Sequence, residues 1–116
     1  MKNKRPKPYK FERLSSEVER LVSEVIAYEI NDPRVLGNCN VTGIVLSKDY
    51  SHCKVYIEIL SSDKKEVLDG LKNSSGYIGH IVRDQLDLRK SMEFSFIEDD
   101  SKSKMERINE LLENIK

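Results

Sequence analysis

Apolar residues in the first third of the chain recur at Leu14, Val18, Leu21, Val22, Val25, Ile26 and Ile30. Steps of three and four put them on one face of a helix, so a first helix is expected over about Lys10–Ile30. Glu17, Arg20 and Glu24 fall on the opposite face. Ser16 and Glu19 have capping-box spacing but lie inside the stripe, which leaves the helix start open. Asn31-Asp32-Pro33 sets the end, because proline disfavours the α region at the residue before it.

The period then changes from 3.6 to 2. Val41–Leu46 and Cys53–Leu60 read as strands joined by the turn Ser47-Lys48-Asp49-Tyr50-Ser51. Along the second strand Cys53, Val55, Ile57 and Ile59 point one way, and His52, Lys54, Tyr56 and Glu58 the other. Folding about the turn sets Leu46 opposite Cys53 and brings Cys39 near Leu60. One buried and one wet face is the pattern of an antiparallel sheet. The helical period returns over Lys64–Asn73, with Val67, Leu68 and Leu71 inward, and over about Tyr77–Leu88, with Ile78, Ile81, Val82 and Leu86 inward. Ser74-Ser75-Gly76, all weak helix formers, separates the two as a kink. Met92–Ile97 is a third strand with Met92, Phe94 and Phe96 on one face. A last helix follows to about Ile115 along Met105, Ile108, Leu111, Leu112 and Ile115, with Ser103 and Glu106 as a capping box behind Glu98-Asp99-Asp100. The predicted order is α-β-β-α-α-β-α, a two-layer α+β sandwich of a three-stranded sheet with helices on one face.

With 116 residues there is room for one core and one domain. Residues 1–9, basic and holding two of the three prolines, read as an extended arm, and residues 10–116 as a single domain. No apolar run approaches the roughly 18 residues of a membrane span, and no apolar segment follows the basic start as in a secretory signal. A cytoplasmic protein is expected. Cys39 and Cys53 are separated by the strand register, so both are expected as small core or strand-end residues rather than a disulfide.

Net charge is zero, but it is unevenly spread. Residues 1–13 carry Lys2, Lys4, Arg5, Lys7, Lys10 and Arg13 against Glu12 alone, which leaves the rest of the chain acidic by the same amount. Catalytic signals are weak. His52 and His80 have no Ser or Cys at a nucleophilic spacing, and His52 and Cys53 leave opposite faces of a strand and cannot share a metal. Glu98-Asp99-Asp100 is explained by capping, and no Gly-rich loop follows a strand to cradle phosphate. No catalytic residue, metal or cofactor is assigned. The basic residues are the better lead: His80 and Arg83 lie about 60° apart on the Tyr77–Leu88 helix, Lys72 precedes the kink, and Arg89 and Lys90 follow the helix. With Lys4, Arg5, Lys7 and Lys10 of the arm they outline a strip able to neutralise RNA phosphates, diluted by Asp84 and Asp87. Gly76-Tyr77-Ile78-Gly79 spells the GxxG of KH domains, but Ile78 sits on the core stripe, so the match reads as coincidence.

Several segments resemble the ribosome-binding factor A (RbfA) family, a branch of the type II KH-like fold. Asn31-Asp32-Pro33-Arg34 closes the first helix as the family's D-P-R does. Leu46-Ser47-Lys48-Asp49-Tyr50-Ser51-His52-Cys53-Lys54-Val55-Tyr56-Ile57 is similar to its V-S-x-D-x-S-x-A-x-V-Y-V. Ser74-Ser75-Gly76 stands at the family's A-x-G kink, which replaces GxxG. Leu88-Arg89 with Glu93-Phe94-Ser95-Phe96, then Asp99-Asp100-Ser101 and Arg107-Ile108-Asn109-Glu110-Leu111-Leu112, continue the match in order. Ser74 replaces the commoner Ala, and Met92 the usual Pro.

The resemblance implies a monomeric, non-enzymatic factor that binds the 30S subunit and its 16S rRNA in late maturation and supports processing of the precursor's 5′ end. Ribosomal proteins and other assembly factors are implied as further partners. On this reading Ser74, Ser75 and Gly76 meet rRNA at the kink, and Lys72, His80, Arg83, Arg89, Lys90 and the arm supply phosphate contacts. The alternatives are an adaptor of the same fold docking on a ribosomal protein, or a small hydrolytic or metal-dependent enzyme.

Overall fold

The apolar stripe folds as predicted into α1 (Phe11–Tyr28). The computed structural model describes residues 11–115, without the side chains at 101, 103, 114 and 115. The 1–9 arm, Lys10 and the Ser103 half of the expected capping box therefore lie outside the described residues. Ser16 does not cap: its hydroxyl donates to the Glu12 carbonyl one turn back, at 3.1 Å. The helix stops before the proline, with the Glu29 and Ile30 amides both donating to the Val25 carbonyl (2.8 and 3.1 Å). Asp32 then organises the turn. Its carbonyl accepts from the Val35 and Leu36 amides, and its carboxylate takes the Arg34 amide and guanidinium at 2.9 and 2.7 Å.

The remaining elements are β1 (Cys39–Leu46), β2 (His52–Ile59), α2 (Lys64–Asn73), α3 (Ser75–Leu86), β3 (Glu93–Glu98) and α4 (Ser101–Ile115), in the predicted order. Leu46 pairs with Cys53 as expected, but the ladder slips by one between Val41 and Gly43, so Cys39 faces Ile59 rather than Leu60. The cause is a bulge at Thr42, whose hydroxyl donates to the Tyr56 carbonyl (3.2 Å). The sheet is mixed rather than antiparallel: β1 and β2 are antiparallel, β2 and β3 parallel, in the order β1-β2-β3. A parallel neighbour needs a long crossover, and α2 and α3 supply it.

The core lies between one sheet face and α1, α2 and α3. Val18, Val22, Val55, Ile57, Leu71, Ile78 and Val82 are fully buried there, each contributing roughly 1.5–3 kcal/mol by leaving water. Gly70 lets α2 approach the Asp32–Val35 turn, since a Cβ would lie 2.8 Å from Val35 Cγ2. The interruption expected over Ser74–Gly76 is confined to Ser74, which keeps helical angles; Ser75 and Gly76 already belong to α3.

The helices do not all lie on one face, which corrects the two-layer expectation. α4 crosses the opposite side, where Arg107 sits over the Tyr56 ring (5.1 Å to its centroid) and Lys54 pairs with Glu110 at 2.7 Å. Tyr56, expected on a wet face, is fully buried as a result. Much of the row expected on the core side of α4 is turned outward: Met105, Ile108 and Leu112 are exposed and Leu111 is half-buried, while Arg107 and Glu110 face the sheet.

Candidate nucleic-acid interface

The motif Ser47–Ser51 builds a rigid turn. Asp49 Oδ1 accepts from the Ser47 and Ser51 hydroxyls (2.8 and 2.7 Å) and from the Ser51 amide, while the Ser47 hydroxyl oxygen accepts the His52 amide. These donors hold the Asp49 carboxyl down at about 2, well below the usual carboxylate range. Tyr50 takes a left-handed backbone conformation (φ 62°), costly for a bulky side chain. Its ring stacks on Phe11 at the start of α1, with centroids 6.1 Å apart.

Across from this turn lies the loop between α3 and β3. Asp87 caps α3 in the left-handed region, and the chain passes through Leu88, Arg89, Lys90 and Ser91 before β3 begins beside the turn, where the Glu93 amide donates to the Ser51 carbonyl (3.0 Å). Asp49, Tyr50, Ser51, Leu88, Arg89, Lys90 and Ser91 line an open cleft of about 460 Å³.

The sequence-derived basic strip is thereby divided. Lys72, Ser74, Ser75 and Gly76 stand at the N-terminal end of α3, where the Tyr77 hydroxyl donates to Glu29 at the end of α1 (2.8 Å). Arg89 and Lys90 lie beyond its other end. The ten helical residues 77–86, about 15 Å, separate the two groups. Ser74 and Ser75 spend their hydroxyl protons on the Gly70 and Lys72 carbonyls (3.1 and 2.8 Å), so toward a ligand they offer acceptors. Gly76 is open, with nothing within 4 Å of where a Cβ would be. Gly79 is buried, its Cβ position 3.1 Å from the Met92 carbonyl, and Ile78 is fully buried; neither is presented as a GxxG loop residue would be. His80 and Arg83 come together as expected, but Asp84 pairs with both, at 3.2 and 3.4 Å. Lys4, Arg5, Lys7 and Lys10 lie outside the described residues.

Ion pairing shows where free positive charge remains. Arg20, Arg34, Lys54, Lys64, Lys65 and Arg107 each face a carboxylate. Among the described residues Lys48, Arg89 and Lys90 are exposed, make no such pair and belong to the turn and the loop at the cleft, while Lys102 and Lys104 of α4 are likewise exposed without one. Lys72 is exposed and unpaired in the same sense at the far end of α3. Arg13 is exposed in the first turn of α1, whose Phe11 touches Tyr50. Of the residues at this cleft the sequence singled out Arg89 and Lys90, and not Lys48, Tyr50, Ser51 or Ser91, which are some 40 positions away or look like ordinary turn residues. The available signal was a Tyr at a turn position where Gly or Asn is the common occupant.

His52 and Cys53 point to opposite faces. His52 Nε2 lies 2.9 Å from Ser95 Oγ on the outer side of the sheet, and Cys53 is fully buried, its thiol pushed up to about 12 by desolvation. Among the described residues no three His, Cys, Asp or Glu side chains gather to hold a metal ion. No helix there is long and apolar enough to cross a membrane.

Comparison with known proteins agrees on one family. The family model described as "Ribosome-binding factor A" matches residues 10–112. The ribosome-binding factor A of Syntrophomonas wolfei is 41% identical over 108 residues, covering 90% of this chain and 88% of that protein. The crystal structure of ribosome-binding factor A from Thermus thermophilus superposes with a TM-score of 0.69 at 23% identity, covering 78% of this chain and 97% of that one. A T. thermophilus homology model fitted into a cryo-electron-microscopy map of a 30S complex superposes at 0.62 with 25% identity, covering 73% and 90%.

Proposed function

Because the chain belongs to the ribosome-binding factor A family, we propose that it is a non-enzymatic assembly factor with a KH-like fold that binds the small ribosomal subunit. On this reading it works in the cytoplasm as a monomer, holds 16S rRNA late in maturation and supports processing of the precursor's 5′ end. The observation that carries the reading is the extent of the match: residues 10–112 take in every strand, α1 to α3 and most of α4. The fitted T. thermophilus model is of a relative in a 30S complex, which supports the same partner here. A binder of this kind acts by differential affinity for one rRNA conformation, so it needs no catalytic group.

Its RNA contacts are assigned to Arg83, His80, Arg89, Lys90 and the arm residues Lys4, Arg5, Lys7 and Lys10, with Lys72 and Ser74–Gly76 as a second contact. The test is co-sedimentation with immature small subunits. Arg83→Glu with Arg89→Glu is expected to weaken it while leaving the melting temperature unchanged; unaltered co-sedimentation would remove this end of α3 from the interface. Arg89 is expected to carry most of the loss, since Arg83 is already neutralised by Asp84. Cells lacking the protein are expected to accumulate 16S precursor with an unprocessed 5′ end, read by primer extension.

A further inference from the structure

The Ser47–Ser51 turn and the Leu88–Ser91 loop enclose a cleft whose lining has a stacking ring, unpaired cations and hydroxyls together. Resting on the RNA-binding reading above, we propose that this cleft receives one unstacked nucleotide of single-stranded RNA. Its base lies against Tyr50, and its flanking phosphates meet Arg89, Lys90 and Lys48.

Four observations converge. First, the cleft, at about 460 Å³, falls within the roughly 300–1,000 Å³ usual for sites that enclose a small organic group. Second, Tyr50 is held at φ 62° and remains 38% exposed. A strained backbone that presents a ring to a cleft is a feature of ligand sites, and Phe11 stacked behind the ring stiffens it. Third, Arg89 and Lys90 line the cleft with no carboxylate partner among the described residues, and exposed Lys48 adjoins Asp49 in the turn. Fourth, the acid within the cleft is committed: Asp49 Oδ1 is filled by three donors from its own turn. The carboxylate stays negative, so phosphate is expected nearer Arg89 and Lys90 than Asp49.

A free nucleoside triphosphate fits less well. α3 points its C-terminal, carbonyl end toward this loop, which opposes a compact polyphosphate, and the cations are spread along the rim. Duplex RNA cannot offer an unstacked base, and single strands pair a stacked ring with a basic track in this manner.

The experiment titrates the isotope-labelled full chain with a single-stranded hexa-adenylate and with an RNA duplex of equal phosphate number, following backbone amide shifts. The expected result is perturbation at Tyr50, Ser51, Arg89 and Ser91 by the single strand in preference to the duplex. Tyr50→Asn, which removes the ring while tolerating left-handed angles, is expected to weaken single-strand binding roughly tenfold. Tyr50→Phe is expected to bind within about twofold of the parent, since the stacking ring is kept. If Tyr50→Asn melts early, Arg89→Ala with Lys90→Ala, distant from the Phe11–Tyr50 stack in sequence, carries the same expectation of weakening. Shifts centred on Ser74–Gly76, equal affinity for the duplex, or an unchanged affinity in Tyr50→Asn would overturn the proposal. Co-sedimentation of the parent chain with immature small subunits separates the two readings: its failure sinks the ribosomal reading, whereas its success beside an unperturbed cleft sinks only the nucleotide site.

Discussion

Glycines at three positions differ in what surrounds them, and that sets the sign of a substitution at each. A Cβ on Gly43 would fall 2.7 Å from Arg107 Nη1, and one on Gly70 2.8 Å from Val35 Cγ2. Gly70→Ala is expected to lose about 1–2 kcal/mol by overpacking, more than the ~1 kcal/mol helix propensity returns. Gly76→Ala meets open space within a helix and is expected to gain about 0.5 kcal/mol. Urea denaturation of the two variants checks the opposite signs. Titratable residues give a second expectation. The ring of donors keeps Asp49 ionised down to about 2, and Arg34, first through its side chain and then its amide, lowers Asp32 in the same direction. Both pKa values are lower folded than unfolded, so the stabilisation is full above the ordinary carboxylate range. It disappears as pH falls, towards about 2 for Asp49. Asp49→Asn is expected to remove the acid dependence of Ser51 amide protection between roughly pH 4 and 2, measured by hydrogen exchange. Burial raises both free thiols, Cys53 to about 12, so neither is expected to react with a thiol reagent at neutral pH until denaturant is added.

At the scale of elements, α4 is the one whose packing sequence periodicity misjudged. Met105, Ile108 and Leu112 follow helical spacing, yet they are 62%, 48% and 60% exposed. The sheet side is held instead by Lys54–Glu110, by Arg107 over Tyr56, and by a long Arg107–Asp99 pair at 3.7 Å. That pair is buried imperfectly: Asp99 Oδ1 and Arg107 Nη1 have no hydrogen-bond partner among the described residues. Removing one member leaves the other charge enclosed, whereas replacing both with apolar groups removes the desolvation cost. Asp99→Ala is expected to lose about 2 kcal/mol, and Asp99→Leu with Arg107→Met to be neutral or stabilising. Ile108→Gln is expected to stay within about 0.5 kcal/mol of the parent. Thermal melts of these variants decide whether α4 docks by its polar face. α1, α2 and α3 were legible because each had an apolar stripe and one apolar sheet face to meet.

At the scale of the molecule, a net charge of zero conceals a basic end. Lys48, Arg89 and Lys90 gather at the hairpin-turn side, where α1 also begins with Arg13, while most other described basic side chains are spent in local ion pairs. Binding carried by phosphates weakens linearly in the logarithm of salt, with a slope near 0.7 per contact for single strands. Arg89→Ala with Lys90→Ala is expected to reduce that slope by about 1.4 for a single-stranded oligoribonucleotide, measured by fluorescence anisotropy over a salt series. Attachment to a ribosomal protein alone would leave small-subunit binding nearly flat in salt, which is how the adaptor alternative is separated.

The sequence alone determined the element order, the hairpin register near its turn, the inward faces of α1 to α3 and the family. Each of these rests on local periodicity, turn chemistry or ordered motifs that need no distant partner. It also pointed to Arg89 and Lys90 as candidates for the proposed contact, because cations that follow a helix are visible in one dimension. Tertiary structure decided the rest. The bulge at Thr42 moved Cys39 onto Ile59, the crossover made β3 parallel, and α4 took the far side of the sheet with its polar face inward. Packing also brought the Ser47–Ser51 turn against a loop some 40 residues on, set the Tyr50 ring into a cleft and left Ser74–Gly76 at the other end of α3. Such proximities depend on which surfaces bury each other, and no spacing along the chain encodes them.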